Sequence, residues 1–335
     1  MDGADVASSF QAGTKRQKYL PKLTTKVAHC NYVAWLDLHR AEDARVKSVT
    51  NTLHPASSQT GDWYITALDL DAYLHRIGES AARPSEEALS ALHEAHVRTV
   101  PFGNVDVLLG HPPSLELSDI ADKLVHRRRG GYCFEHGLLF AAALERLGYH
   151  VTRCLARVQP DSPGGAKTHL VLVVDVRGKR FLADTGFGSG LLVPLPLEDG
   201  ATTEHGGWPY RLRRDGRLWR LEKPGDGGAD WTAVYAFDET PQRPIDYVVA
   251  NHFTATHPRS PFTQRLIVQR IDHGICRKLV GRGLLTEHPG RTPEQPRPVS
   301  ADELGEVLHS LGLALDEDEL AQLRQVYAGA EKAES

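Results

Sequence analysis

Apolar positions along the chain change period twice, and each change marks a different kind of structure. From residue 68 to 148 they recur at helical spacing. LDLDAYLHRIG forms the first predicted helix and stops at Gly78. Pro84, Ser85 and the acidic pair Glu86–Glu87 open a second, SEEALSALHEAHVRTV, which halts before Pro101. SLELSDIADKLVHRR is a third, with Ser118 as its expected N-cap. The fourth and most apolar runs from Cys133 to Leu147 and is closed by Gly148. The period then drops to two. HVTRCLARVQ, THLVLVVDVRG and KRFLADTG read as strands, with VRGKR a tight hairpin. YRLRRDG, RLWRLEK and WTAVYAF follow, and then the hairpin pair FTQRLIVQRIDHG and ICRKLVGRGLLTEH. Two helices end the chain, SADELGEVLHSLG and DEDELAQLRQVYAG, the first opened by a Ser300/Glu303 capping box. Helices, then antiparallel strands, then helices predict an α+β protein and not alternating βαβ units.

Residues 1–62 differ from the rest. They mix small and polar residues with a basic cluster, KRQKYLPKLTTK, and read as a poorly ordered extension. A short docking helix around Tyr32–Leu38 is the alternative. The expected organisation is this extension, then residues 63–148, 149–255 and 256–335 as three successive units.

Composition narrows the function. The 335 residues are 41% apolar and 24% charged with a net charge of −4, which gives no electrostatic reason to expect nucleic acid. No run reaches the roughly 18 apolar residues of a membrane span, and the N-terminus lacks a secretory apolar core. Cys30, Cys133, Cys154 and Cys276 lie far apart with no CxxC pair, a pattern of reduced thiols in a cytoplasm.

One stretch stands out. In RGGYCFEHG the thiol of Cys133 sits at the predicted start of a helix, where unpaired backbone N–H groups and the macrodipole favour an anion. Gly130 and Gly131 leave its approach open. A nucleophilic thiol needs a base and something to orient that base. His169, opening an apolar strand, is the preferred base; His136 shares the helix of Cys133, and a first-turn position disfavours an imidazolium. Asp184 is the expected orienting carboxylate, because the hairpin folds 180–184 back beside 168–177. Periodicity alone leaves plain alternatives open: a buried Cys, a satisfied strand-edge His, a turn Asp. A zinc site of Cys133, His136 and His169 lacks paired-ligand spacing, so no metal is expected.

RGGYCFEHGLLFAAALERLGY, THLVLVV and LADTGFG, in that order, resemble the arylamine N-acetyltransferase family. LHEAHVRTVPFGNVDVLLG, DYVVANHFTATHPRSPFTQRLIVQR and GRGLLTEH extend the resemblance over about residues 64–328. It implies a helical bundle, an antiparallel β-barrel-like domain and an α/β lid around a thiol-protease-like (transglutaminase-like) core. It also implies Cys133 as nucleophile, His169 as base and Asp184 as orienting acid, with Arg129 and Glu135 as a buried structural pair. Three positions depart from the family's usual pattern: Gly103 for a common glutamate, Gly137 for a frequent asparagine and Thr185 for a frequent valine.

The implied reaction is a ping-pong transfer of acetyl from acetyl-CoA, through an acetyl-cysteine, to an arylamine, arylhydrazine or N-hydroxyarylamine. Asn251, Phe253 and Thr254 are the expected cofactor-side residues, with core packing the alternative for Phe253. SPGGAK, at 162–167, is too weak a pattern for a phosphate cradle. Two rivals remain at this point: an amide synthase closing a macrolactam from a carrier-bound acyl chain, and a binding protein that keeps the fold without turnover.

Overall fold

Asp69 accepts the Ala72 amide (2.9 Å) and starts helix α1 (Leu70–Ile77), and Gly78 ends it with φ +78°. The computed structural model describes residues 63–225 and 230–334; the extension and its Tyr32–Leu38 alternative lie outside them. Ser85 caps α2 (Glu86–Thr99) by accepting the Ala88 amide. A two-residue strand, β1 (Phe102–Gly103), and a short helix, α3 (Val105–Leu108), lead to α4 (Leu117–Ala121). Ser118 is not the cap of α4. Glu116 takes that place, and the buried Leu117 already sits in the first turn. The helix then widens into a π turn over Asp122–His126, within which Lys123 is buried. Helix α5 (Cys133–Arg146) is buried from Cys133 through Leu144.

The strands form two antiparallel sheets. The larger has eight strands: β2 (His150–Val158), β3 (Lys167–Val176), β4 (Lys179–Ala183), β5 (Leu195–Pro196), β6 (Thr202–Thr203), β7 (Tyr210–Asp215), β8 (Leu218–Pro224) and β9 (Trp231–Phe237). Their spatial order is β5-β4-β3-β2-β9-β8-β7-β6. The two edge strands, β5 and β6, are joined by only residues 197–201. Five residues reach at most about 18 Å, so the sheet must curl to bring its edges together, which gives it a barrel-like form. The predicted hairpin at VRGKR is present, with Arg177 and Gly178 both at positive φ as a type I′ turn requires.

After the barrel-like sheet come α6 (Pro244–Thr256) and α7 (Pro261–Gln264). Periodicity did not reveal α6 because apolar residues lie on both its faces. Ile245, Val248 and Val249 are exposed while Tyr247, Ala250, Asn251 and Thr254 are buried. Tyr247, Ala250 and Ala255 join the core of α1, α2 and α5. The smaller sheet, ordered β1-β10-β11-β12-β13, adds β10 (Ile267–Asp272), β11 (Ile275–Val280), β12 (Gly283–Glu287) and β13 (Arg297–Pro298). Helices α8 (Leu304–Ser310) and α9 (Glu317–Glu334) follow, and the Ser300/Glu303 box forms as expected, each backbone N–H donating to the other's side chain. Leu279, Leu308, Leu311 and Leu323 build a separate core there. No helix among the described residues is long and apolar enough to cross a membrane.

Gly137 lets α5 and β3 approach closely: a Cβ built on it would lie 2.2 Å from Leu170 Cδ2. The residue before Leu170 is His169, so this contact sets the depth of the strand against the helix. Gly137→Ala is expected to lower stability by about 1–2 kcal/mol, overpacking outweighing the gain in helix propensity. Urea denaturation measures this, and adding Leu170→Val should recover part of the loss. An unchanged midpoint would mean that Leu170 yields without cost.

Candidate active site

Cys133 is the first residue of α5, buried, with its Sγ 3.6 Å from the Thr168 carbonyl oxygen. The next residue on that strand is His169, whose Nε2–H donates to Asp184 Oδ2 at 2.8 Å. With Nε2 committed to the carboxylate, Nδ1 is the ring nitrogen left for the sulfur. Burial pushes the His169 imidazole down, but Asp184 and the adjoining Cys133 more than offset it, and its pKa is raised to about 10. Burial would push Asp184 up. Its contact with His169, the Tyr235 hydroxyl beside it and the Gly186 amide donating to Oδ1 (3.0 Å) hold it below the usual carboxylate range instead. A charged pair in a closed site is the result.

Backbone fit keeps sulfur and carboxylate in one place. A Cβ on Gly186 would lie 2.8 Å from the Cys133 Cα, so the DTGFG segment can lie on the start of α5 only because this residue has no side chain. Tyr235, on β9, packs its ring on the imidazole (centroids 5.1 Å apart). Behind the carboxylate, the Asp184 amide donates to His93 Nε2 (3.0 Å), so His93 must donate through Nδ1 to the Leu192 carbonyl (3.0 Å). Neither Tyr235 nor His93 was singled out from sequence. Each acts through a contact made across more than fifty residues, which no local pattern announces.

His136 is not a partner of the thiol. Its Nε2–H donates to the Gly131 carbonyl (3.1 Å), so Nδ1 accepts from His96 Nε2–H (2.9 Å). His96 Nδ1 then accepts the Tyr73 hydroxyl (2.9 Å), and both ring tautomers are fixed by the one carbonyl at the end. Burial pulls the pKa of His136 down to about 4, which keeps the ring neutral. With both nitrogens engaged, it is not available for a zinc site with Cys133 and His169.

The expected ion pair between Arg129 and Glu135 does not form. Glu135 accepts from Lys123 Nζ (2.7 Å) and from the Tyr132 amide (3.1 Å), capping α5. Lys123 also meets Asp106 (2.6 Å), and Arg129 turns to Asp106 and Glu319. The nearer cation is Lys123, brought in by the π turn twelve residues earlier. Both expected residues still support the loop, as parts of a chain of charges from α9 to α5. Asn251 and Thr254 do not offer polar atoms to a cleft. Asn251 is buried between the Tyr132 hydroxyl and the Pro113 carbonyl, and Thr254 donates to the Ala250 carbonyl (2.8 Å). Phe253 stacks on His257, centroids 4.4 Å apart.

Residues 86–320 match the family model described as N-acetyltransferase. The arylamine N-acetyltransferase of Mycolicibacterium smegmatis is 38% identical over 258 residues, covering 74% of this chain and 93% of that protein. The crystal structure of Nocardia farcinica arylamine N-acetyltransferase superposes with a TM-score of 0.73 at 40% identity, covering 78% of this chain and 95% of that one. The chain belongs to the arylamine N-acetyltransferase family. A further member, the Mycobacterium marinum enzyme in complex with CoA, superposes with a TM-score of 0.69 at 34% identity, covering 77% of this chain and 99% of that one. These relatives are acetyltransferases, which turns the reading away from a macrolactam synthase.

The departures from the usual arylamine N-acetyltransferase pattern have visible settings. Gly103 donates its amide to the Gly131 carbonyl (2.7 Å), with Leu313 filling the space beside it. Thr185 is buried next to Asp184, its hydroxyl without a hydrogen-bond partner among the described residues.

The buried neutral histidines predict acid sensitivity. Burial lowers His93 and His136 to about 4 each and takes His96 well below its ordinary value. The unfolded chain protonates these rings near 6.5 while the folded one does not, so their contribution is present above 6.5 and lost as pH falls toward 4. Each such ring steepens the loss by up to about 1.4 kcal/mol per pH unit. Melting temperatures measured from pH 7 to 4.5 should fall steeply, and His93→Gln should flatten the slope. A flat profile over that window would contradict the neutral assignment.

Proposed function

We propose that the protein carries an acetyl group from acetyl-CoA to the nitrogen of an arylamine, arylhydrazine or N-hydroxyarylamine, using Cys133, His169 and Asp184. The observation that carries this reading is the imidazole next to the sulfur, held in its charged form by Asp184. In the first half-reaction the Cys133 thiolate attacks the thioester carbonyl. Backbone N–H groups in the first turn of α5 have no intrahelical acceptor and would take the developing oxyanion. The carbon–sulfur bond to CoA breaks, the CoA sulfur takes the His169 proton, and the acetyl group stays on Cys133.

In the second half-reaction the neutral amine attacks the acetyl-cysteine, passes its proton to His169 and expels the Cys133 thiolate, which restores the starting state. Arylamines are weak bases and remain neutral at pH 7, whereas alkylamines are mostly protonated. That difference favours aromatic acceptors without any specific contact. Asp184 fixes the ring and steadies its charge and does not itself take the proton. Asn251 and Thr254 then serve the site through packing, Asn251 by holding the ring of Tyr132 immediately before the nucleophile. Reduced thiols and acetyl-CoA suit a cytoplasmic reaction.

Intact mass spectrometry after exposure to acetyl-CoA tests the first half directly. The wild-type chain should gain one acetyl group and lose it on adding an arylamine, and Cys133→Ala should gain none. A wild-type chain that stays unmodified would overturn the proposal.

A further inference from the structure

Away from Cys133, three segments that are distant in sequence bring two imidazoles onto one carboxylate. Glu94 lies on α2, His205 in the turn between β6 and β7, and His273 in the β10–β11 hairpin turn. His205 Nε2 is 2.8 Å from Glu94 Oε2, and His273 Nε2 is 2.5 Å from Glu94 Oε1. We propose that Glu94, His205 and His273 form a binding site for a divalent transition-metal ion of the zinc class. Their three donor atoms all lie within 4.8 Å of one another. A tetrahedral zinc ion with bonds near 2.0–2.1 Å needs separations of about 3.3 Å, which small side-chain rotations supply.

The backbone, and not the carboxylate, brings the two imidazoles together. The Gly274 amide donates to the Gly206 carbonyl (2.8 Å), joining the two turns directly. Gly206 has φ +63°, with Leu192 and the His273 Cα packed where a Cβ would be, so its turn is held against the hairpin. The Trp208 indole donates to the Asp272 carbonyl (3.0 Å), a second tie between the same segments. Two ring nitrogens are therefore presented side by side before any ion arrives.

The donor set selects the ion. Two imidazole nitrogens and one carboxylate oxygen suit zinc, nickel or copper and do not suit magnesium or calcium, which prefer all-oxygen shells. On binding, each ring coordinates through Nε2 as neutral imidazole, its single proton moving from Nε2, where it now bridges to Glu94, to Nδ1. Among the described residues Arg98 pairs with this cluster, 3.2 Å from Glu94 Oε1, but its Nε is turned to Asp272 at 2.7 Å. Two carboxylates against one guanidinium leave the locality negative. Three protein donors leave room for water in the fourth position. The ion would tie α2 to both sheets one residue from His93, which accepts the Asp184 amide. It would thus brace the helix behind the proposed catalytic carboxylate.

The test uses the full chain, stripped with a chelator and titrated with Zn²⁺ by calorimetry and with Co²⁺ by absorption. One equivalent should bind. Cobalt should give visible d–d bands without the near-ultraviolet thiolate charge-transfer band that a cysteine ligand produces. Affinity should fall at least about tenfold in His205→Ala, His273→Ala and Glu94→Gln and persist in Cys133→Ala. Zinc should raise the melting temperature of the wild type but not of those three variants, whose metal-free melting and acetyl transfer should match the parent. No binding at millimolar zinc, binding that survives the double histidine replacement, or binding abolished by Cys133→Ala would each overturn the proposal.

Discussion

The charged contact between Asp184 and His169 is the interaction on which the rest of this site depends. Both groups are buried, and burying either charge alone would be prohibitive. Together, at 2.8 Å and with the Gly186 amide on the second carboxylate oxygen, each keeps the other ionised. The fold spends several features on this pair: the β3–β4 hairpin sets its register, Tyr235 closes one side of the ring, and His93 fixes the backbone of Asp184. Removing the carboxylate would leave burial as the dominant influence on the ring and return it to the neutral form.

The histidines around the site illustrate how the same side chain serves opposite ends. His169 faces a carboxylate and is charged. His93, His96 and His136 face carbonyls, an amide, a hydroxyl and one another, and burial leaves them neutral. Neutral rings can pass a direction along a hydrogen-bond chain, because each must donate at one nitrogen and accept at the other. The run Tyr73, His96, His136 ends on the carbonyl of Gly131, two residues before the sulfur. The chain of charges through Glu135, Lys123, Asp106, Arg129 and Glu319 secures the same loop from the other side. Cys133 is thus fixed by two networks, one neutral and one ionic.

Much of this was legible in the sequence. The helix beginning at Cys133, the β3–β4 hairpin and the Ser300/Glu303 capping box follow from local rules, and the hairpin was enough to bring Asp184 back beside His169. What could not be read locally depends on partners chosen in three dimensions. Glu135 looked like a mate for Arg129, yet a lysine carried inward by a π turn took it. The family resemblance put Asn251 and Thr254 on the cofactor side, and helix α6, apolar on both faces, carries no local sign that these two are buried. Ser118 looked like a cap, but the burial of Leu117 pulled the first turn two residues earlier.

The location of one proton therefore decides the account. Histidine side-chain NMR, on the full protein with His169 assigned by substitution, reports it directly. The His169 ring should be protonated at neutral pH and titrate near 10, the stabilisation from its contact with Asp184 being complete below 6.5 and lost as pH rises through 10. In Asp184→Asn the ring should be neutral at pH 7. A wild-type His169 already neutral at pH 7 would contradict the charged pair.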